Sequence, residues 1–268
     1  MKITKYFIFS LALVLLTSVY QRMTGPTYAK KVTTTIADKS YDFKLTRSHE
    51  IGEPFLVEFE IPDTSVSAEV VFRRFPTNDE YQKKELTRNG NLLQAELPTQ
   101  PAAGKLQYYL EFYEGENYVP LQKEEPVIIR FKGAVPSVVL IIHIVFMFAG
   151  MWFSNLTGLL AIVKNNKQKF YGILTLAFLI IGGMIMGPIV QKFAFNEYWA
   201  GIPFGWDLTD NKTLIAVVAW VIAVIGNWKK ERRFLFIAAA LITIAIFIIP
   251  HSMMGSEFDY VKGEVTTG

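Results

Sequence analysis

The chain has 268 residues, of which 51% are hydrophobic, with 27 basic and 24 acidic side chains, a net charge of +3 and a mean hydropathy of +0.27. That balance leans away from an ordinary soluble enzyme, and the small charge, with Lys and Arg scattered or set at the ends of apolar runs, leaves nucleic-acid binding without support. There is no cysteine, which excludes disulfides, thiolate metal sites, iron–sulfur ligation and haem attachment through C-x-x-C-H, so any metal or haem must use His or Met, and the histidines are His49, His143 and His251.

Lys2 and Lys5 precede an apolar run over 6–20, the form of a signal peptide or a signal anchor. The best cleavage candidate, Thr27-Tyr28-Ala29, lies far downstream of that run, which favours an uncleaved anchor within 1–29. The chain beyond it is exported in either case. From 30 to 133, short alternating segments rich in β-branched and aromatic residues fall at 41–47, 55–61, 67–75, 82–86, 91–97, 106–113, 118–121 and 127–131. Gly52-Glu53-Pro54, Asn89-Gly90, Ala103-Gly104 and Glu114-Gly115 divide them, and this spacing predicts an all-β sandwich of about 100 residues. The stretch AGKLQYYLEFYEGENYVPL, 103–121, resembles the late hairpin of immunoglobulin-like and fibronectin-like domains, in which a Tyr near the strand start bonds back to the corner. Tyr108 or Tyr109 is the matching residue. Resemblance to so widespread a fold implies a spacer or partner-binding module, with carbohydrate binding as the alternative if an aromatic platform is exposed. His49, in Arg47-Ser48-His49-Glu50, is expected in a solvated connection between strands.

At Val135-Pro136 the chain enters the membrane. Residues 137–163 are apolar except for His143, Ser154, Asn155 and Thr157, and exceed the roughly 20 residues needed to span. A basic cluster at 164–169 ends this segment. The next span, 170–190, carries Gly183 and Gly187 at i and i+4 for close helix contact. A polar and aromatic outer loop comes next over 189–212, in which Asp210-Asn211 reads as a helix start. A span over 213–228, a basic turn at 229–233 and a last span over 234–249 close at Pro250-His251 and leave a tail, 251–268. The fold expected is an α+β membrane protein: an extracytoplasmic immunoglobulin-like β sandwich inserted after the first of about five transmembrane helices, then a C-terminal four-helix membrane bundle over 134–250. The excess of Lys and Arg in alternate short loops puts the N-terminus and both basic turns in the cytoplasm, and the β domain, the outer loop and the C-terminus outside the inner (cytoplasmic) membrane.

That topology brings His143, roughly 10 Å inside the outer end of its helix, and His251 to the same half of the membrane. An ionisable side chain within a span is a functional candidate because its desolvation must be offset. Two neutral imidazoles from different helices suit a b-type haem or a metal ion, with their second ring nitrogens tied to carbonyl or carboxylate groups. The alternative is a histidine hydrogen-bonded to a neighbouring helix, with His251 at the wet interface. Lys192 and Lys212 pair with haem propionates or, more simply, with lipid phosphates. Met253-Met254 after His251 suits cuprous ion, though two thioethers make a thin site. No Ser-His-Asp set, intramembrane carboxylate pair, phosphate loop or H-E-x-x-H is present, so hydrolase, pump and nucleotide-driven readings lack residues to carry them.

The loop NEYWAGIPFGWDLTDNKTLI, 196–215, resembles the tryptophan-rich external loop of the haem-handling membrane proteins of cytochrome c assembly, at Asn196, Glu197, Trp199, Trp206, Asp207 and Thr213. The resemblance covers about 20 residues, lacks the family's densest run of Trp, and is followed by one further span. It implies cofactor contacts from Trp199, Trp206 and Asp207 beside His143 and His251, Asp207 acting by orienting a ligand or histidine. The function expected is a bacterial envelope membrane protein that binds haem on its outer side for haem handling or electron transfer with a redox partner. The other expectation is a non-catalytic scaffold or accessory subunit whose β sandwich binds an envelope protein. In both readings the chain also meets the lipid bilayer.

Overall fold

A computed structural model describes residues 3–250, 253 and 255–266. The chain divides into two units, one holding the helices up to Pro26 and within Val135–Ser256, the other comprising Thr27–Ala134 with Glu257–Thr266.

In the second unit, β1 (Lys30–Ile36) and β2 (Lys39–Leu45) form a hairpin turned by Ala37 and Asp38, both at positive φ, the backbone that a two-residue hairpin loop requires. A three-stranded sheet runs β4 (Phe55–Glu60), β8 (Leu92–Leu97), β7 (Thr87–Asn89). A six-stranded sheet runs β3 (Ser48–Glu50), β11 (Val127–Lys132), β9 (Lys105–Glu114), β5 (Val66–Phe75), β6 (Gln82–Glu85), with β10 (Asn117–Leu121) also on β9. One apolar core joins the sheets: Phe55, Val57 and Phe59 from β4 pack with Ala68, Val70 and Phe72 from β5 and Leu106, Leu110 and Phe112 from β9. Alternation along each strand supplies these side chains, because successive residues face opposite sides of a sheet. The Arg88 guanidinium donates to the carbonyls of Ile61, Asp63 and Val66, which holds the β4–β5 connection closed.

Each of the eight segments expected from alternation is a strand, and β1, β3 and β7 add to them. His49 departs from expectation. It lies in β3, paired parallel with β11 opposite Phe131, half-buried against Phe55 and Phe131, its Nε2 donating to the Glu53 carbonyl at 3.0 Å. Tyr108 is buried and donates to the Thr46 carbonyl at 2.9 Å, a residue far earlier in the chain and not in the turn before its own strand. In the tail, β12 (Glu257–Asp259) and β13 (Glu264–Thr266) form a hairpin that belongs to the β unit. Tyr260 explains why. Its hydroxyl accepts from the Lys105 N–H at 3.0 Å and lies 2.9 Å from the Lys105 carbonyl, its ring lies under Arg74, and Glu257 pairs with Lys105.

In the helical unit, among the described residues, four helices are long and apolar enough to cross a membrane: α1 (Thr4–Thr24), α2 (Ser137–Ile162), the run Gln168–Phe195, and α5 (Leu208–Gly226). The third is composite, with α3 (Gln168–Leu179) passing through a wider π-helical stretch, Ile180–Met186, into α4 (Gly187–Phe195). It therefore extends five residues beyond the span expected. The last helix, α6 (Arg233–Ile248), has 16 residues and is shorter than the other four. Polar side chains tie the helices where lipid offers no partner. Trp220 donates to Thr243 between α5 and α6, Trp152 donates to the Phe7 carbonyl of α1, and Gln21 of α1 donates to the carbonyls of Phe247 and Ile249. At Gly158 of α2 the contact is so close that a Cβ would lie 2.7 Å from that of Ala240.

Candidate functional site

The polar start of α5 organises the loop between α4 and α5. α4 closes at Asn196, whose left-handed backbone (φ +63°) suits the residue after a helix end. The helix start differs from expectation: α5 begins at Leu208, and Asp207 is its cap. Asp207 Oδ1 accepts from the amides of Thr209 (2.8 Å) and Asp210 (3.3 Å), while Oδ2 accepts from the Ser256 amide (2.8 Å) and hydroxyl (3.1 Å). Both oxygens are thus committed to the backbone or to Ser256. Asp210 and Asn211 point out of the first helical turn and back into the loop: Asp210 Oδ2 accepts from the Ala200 amide at 2.6 Å, and Asn211 Oδ1 from the Ile202 amide at 2.8 Å. Lys212, expected at lipid phosphates or propionates, is only 2% exposed and donates to the Ile249 (2.8 Å) and Pro250 (3.4 Å) carbonyls, neutralising the C-terminal end of α6.

The same economy applies to the other residues singled out in the loop. Trp199 donates its indole N–H to the Ile202 carbonyl at 3.0 Å, and Lys192 donates to the Asn196 carbonyl at 2.9 Å. Trp206 instead stands 72% exposed. Of the five residues expected to contact a cofactor, Trp199 and Asp207 fold the loop, Trp206 is open, His143 lies in α2, and His251 falls outside the described residues, as does Met254.

His143 sits against the π-helical stretch. Its Nδ1 lies 2.9 Å from the Gly182 carbonyl, which can only accept, so Nδ1 carries the proton and Nε2 of the neutral ring keeps a lone pair. Gly182 O also receives the Gly187 N–H across the wide turn. Only glycine fits the wedge: a Cβ on Gly182 would lie 2.9 Å from the Met147 amide nitrogen, and one on Gly183 would lie 2.5 Å from Thr213 Cγ2. The close contacts expected of Gly183 and Gly187 therefore fall at Gly182 and Gly183, against α2 and α5. Among the described residues no three His, Asp or Glu side chains are grouped to hold a metal ion.

The β unit carries a second candidate, on the side of β9 opposite the core. Glu69 of β5 and Glu111 of β9 are directly opposed, an arrangement that repels unless a cation intervenes. Lys83 supplies it, 2.6 Å from Glu111 and 3.3 Å from Glu69. Glu111 is 3% exposed and also accepts from Tyr118 (2.7 Å), Tyr113 (3.0 Å) and Lys123 (3.3 Å). Burial pushes the carboxyl up, but these four donors outweigh it and hold Glu111 at about 2. Next to this cluster, Gln107 accepts from the Arg73 guanidinium and from the Tyr81 hydroxyl, Arg73 lies 4.5 Å over the Tyr81 ring, and Tyr81 meets Tyr109 edge-on at 5.6 Å. The outcome is a face of tyrosines, two lysines and an arginine, in which Glu111 and Glu69 hold Lys83 and Tyr113, Glu111 also holds Lys123 and Tyr118, and Gln107 holds Arg73 and Tyr81. The period-2 placement of Gln107, Tyr109, Glu111 and Tyr113 against Leu106, Tyr108, Leu110 and Phe112 is the signal by which the sequence could have revealed it.

The chain matches no family model, no curated protein and no solved structure in comparisons with known proteins.

This geometry carries two expected outcomes. Asp207→Ala removes a cap and the carboxylate that bonds Ser256, so the helical unit should lose about 2–4 kcal/mol in denaturant unfolding in micelles, with Asp207→Asn losing less. Because the Glu111 carboxyl is held at about 2 against an ordinary 4.5, its contribution is full above pH 4.5 and is lost as pH falls toward 2. Melting of the β unit should therefore fall more steeply over that window in the parent chain than in Glu111→Gln, which should cost up to about 3 kcal/mol at neutral pH.

Proposed function

We propose that this chain is a non-catalytic accessory protein of a bacterial envelope membrane, and that its β unit docks another envelope protein through the tyrosine-lined face around Glu111. The observation that carries this reading is the fixing of Tyr81 and Arg73 by the buried Gln107 and of Tyr113 and Tyr118 by the buried Glu111, with the buried Tyr109 ring packed edge-on against Tyr81. Tyrosine and arginine are enriched at protein interfaces, and side chains already held in place lose less entropy when a partner arrives. The outer loop supports the same reading from the other unit, since Asp207, Asp210, Asn211 and Lys212 spend their polar groups on the chain itself.

On this reading the β unit is an immunoglobulin-like sandwich lying outside the inner membrane, and α6 is the fifth span. The N-terminus and the basic turns at 164–169 and 229–233 are cytoplasmic, in keeping with the bias of Lys and Arg toward that side. The bonds from Trp152 and Gln21 to α1 and α6 favour an uncleaved anchor. One observation favours the second reading, haem on the outer side: the Gly182 carbonyl orients His143 and leaves Nε2 as a potential ligand, as second-sphere carbonyls do for ligating imidazoles. His251 would be its counterpart.

Tagged full chain purified from its native membranes tests both. The accessory reading expects a stoichiometric partner that is lost in the Tyr81→Ala/Tyr118→Ala pair and retained in Trp206→Ser, with no Soret absorbance. A partner indifferent to the tyrosines contradicts docking through this face, and a Soret band that weakens in His143→Ala decides for haem.

A further inference from the structure

The outer loop directs its polar groups inward and its large apolar groups outward. Tyr198 is 59% exposed, Phe204 76% and Trp206 72%, with Ile202 also exposed, all within nine residues. So dense a display is uncommon on a surface that faces only water. The backbone that carries it is braced at three places, by Asp210 on Ala200, Asn211 on Ile202, and the Asp207 amide on the Ala200 carbonyl (3.0 Å). The loop is therefore preformed, and inserting it into another phase costs little further ordering.

We infer that residues 198–206 form a rigid membrane-interface hook that seats Tyr198, Ile202, Phe204 and Trp206 in the headgroup region of the bilayer. Continuity with the spans identifies the occupant. The loop joins the end of Gln168–Phe195 to the start of Leu208–Gly226, two helices long and apolar enough to cross a membrane, so both its ends emerge where hydrocarbon gives way to headgroups. Trp and Tyr concentrate in that layer because an apolar ring and a polar tip suit its two sides. Lys192, in the last turn of α4, lies 5.2 Å over the Tyr198 ring and puts a cation beside it, where lipid phosphates reside. The hook requires only that the two helices span, and it stands apart from the docking role of the β unit.

The absence of cysteine makes the test direct. Phe204→Cys, Trp206→Cys and, as an aqueous control, Val261→Cys (96% exposed) are each spin-labelled in the full chain. The chains are then reconstituted in vesicles of phosphatidylcholine and phosphatidylglycerol. Labels at 204 and 206 should collide with oxygen in preference to an aqueous nickel chelate, with nickel collisions reduced roughly threefold or more against 261, as for groups at the headgroup–acyl boundary. Nickel collisions equal to those at 261 put the loop in water and overturn the inference. Suppression of both collisions means that protein, a second copy or a partner, covers the loop, which overturns it equally. In the unlabelled chain, the fluorescence lost in Trp206→Phe should be the part that brominated lipids quench, and a water-like, unquenched difference spectrum again refutes the hook.

Discussion

A loop joining two membrane helices faces a constraint that soluble loops escape: where water is scarce, each backbone amide needs a partner from the chain. This chain meets it with one run of residues, Asp207 to Lys212, at the start of α5. Asp207 caps the helix and holds Ser256, Asp210 and Asn211 reach back to Ala200 and Ile202, and Lys212 crosses to the end of α6. The loop, Ser256 and the end of the last helix are thus all held from the start of α5. Exchanging these side chains for apolar ones of similar size would free amides and carbonyls in three places at once, each costing more than the hydrogen bond it lost.

A second constraint acts deeper in the helical unit. Past Leu179 the chain widens over Ile180–Met186, and at Gly182 and Gly183 it comes so close to α2 and α5 that no side chain fits. Such widening turns a carbonyl outward, and Gly182 O receives both Gly187 and His143. The histidine is thereby satisfied on one nitrogen and oriented on the other. A ring held in this way serves as helix-to-helix glue or as a ligand with equal geometric ease, and it is the surroundings of Nε2 that decide between them.

Much of this is legible in the residues. Period-2 alternation locates eight strands because their core residues, such as Phe55, Val57 and Phe59, face one way along a strand. The length of the apolar runs locates four helices long and apolar enough to cross a membrane, and the fifth run is the shorter α6. What alternation cannot convey is where a polar side chain spends its hydrogen bonds. Lys212 looks in sequence like any lysine flanking a span, and its burial depends on the position of Ile249, 37 residues away. Asp207 and Asp210 are both plausible caps by type, and the choice between them rests on a loop conformation set by Ala200 and Ile202. The strand that holds His49 escapes detection because three residues carry too little pattern, and its pairing with β11 is long-range.

The central claim is that side chains of α5, not water, satisfy the loop backbone. Site-resolved amide hydrogen exchange of the full chain in bilayers tests it most directly. The Ala200 and Ile202 amides should exchange slowly, at least ~100-fold below the unprotected rate for bonds that open only with the local fold. Asp210→Ala should release Ala200 more than Ile202. Exchange of both amides at the unprotected rate in the parent chain would contradict the account.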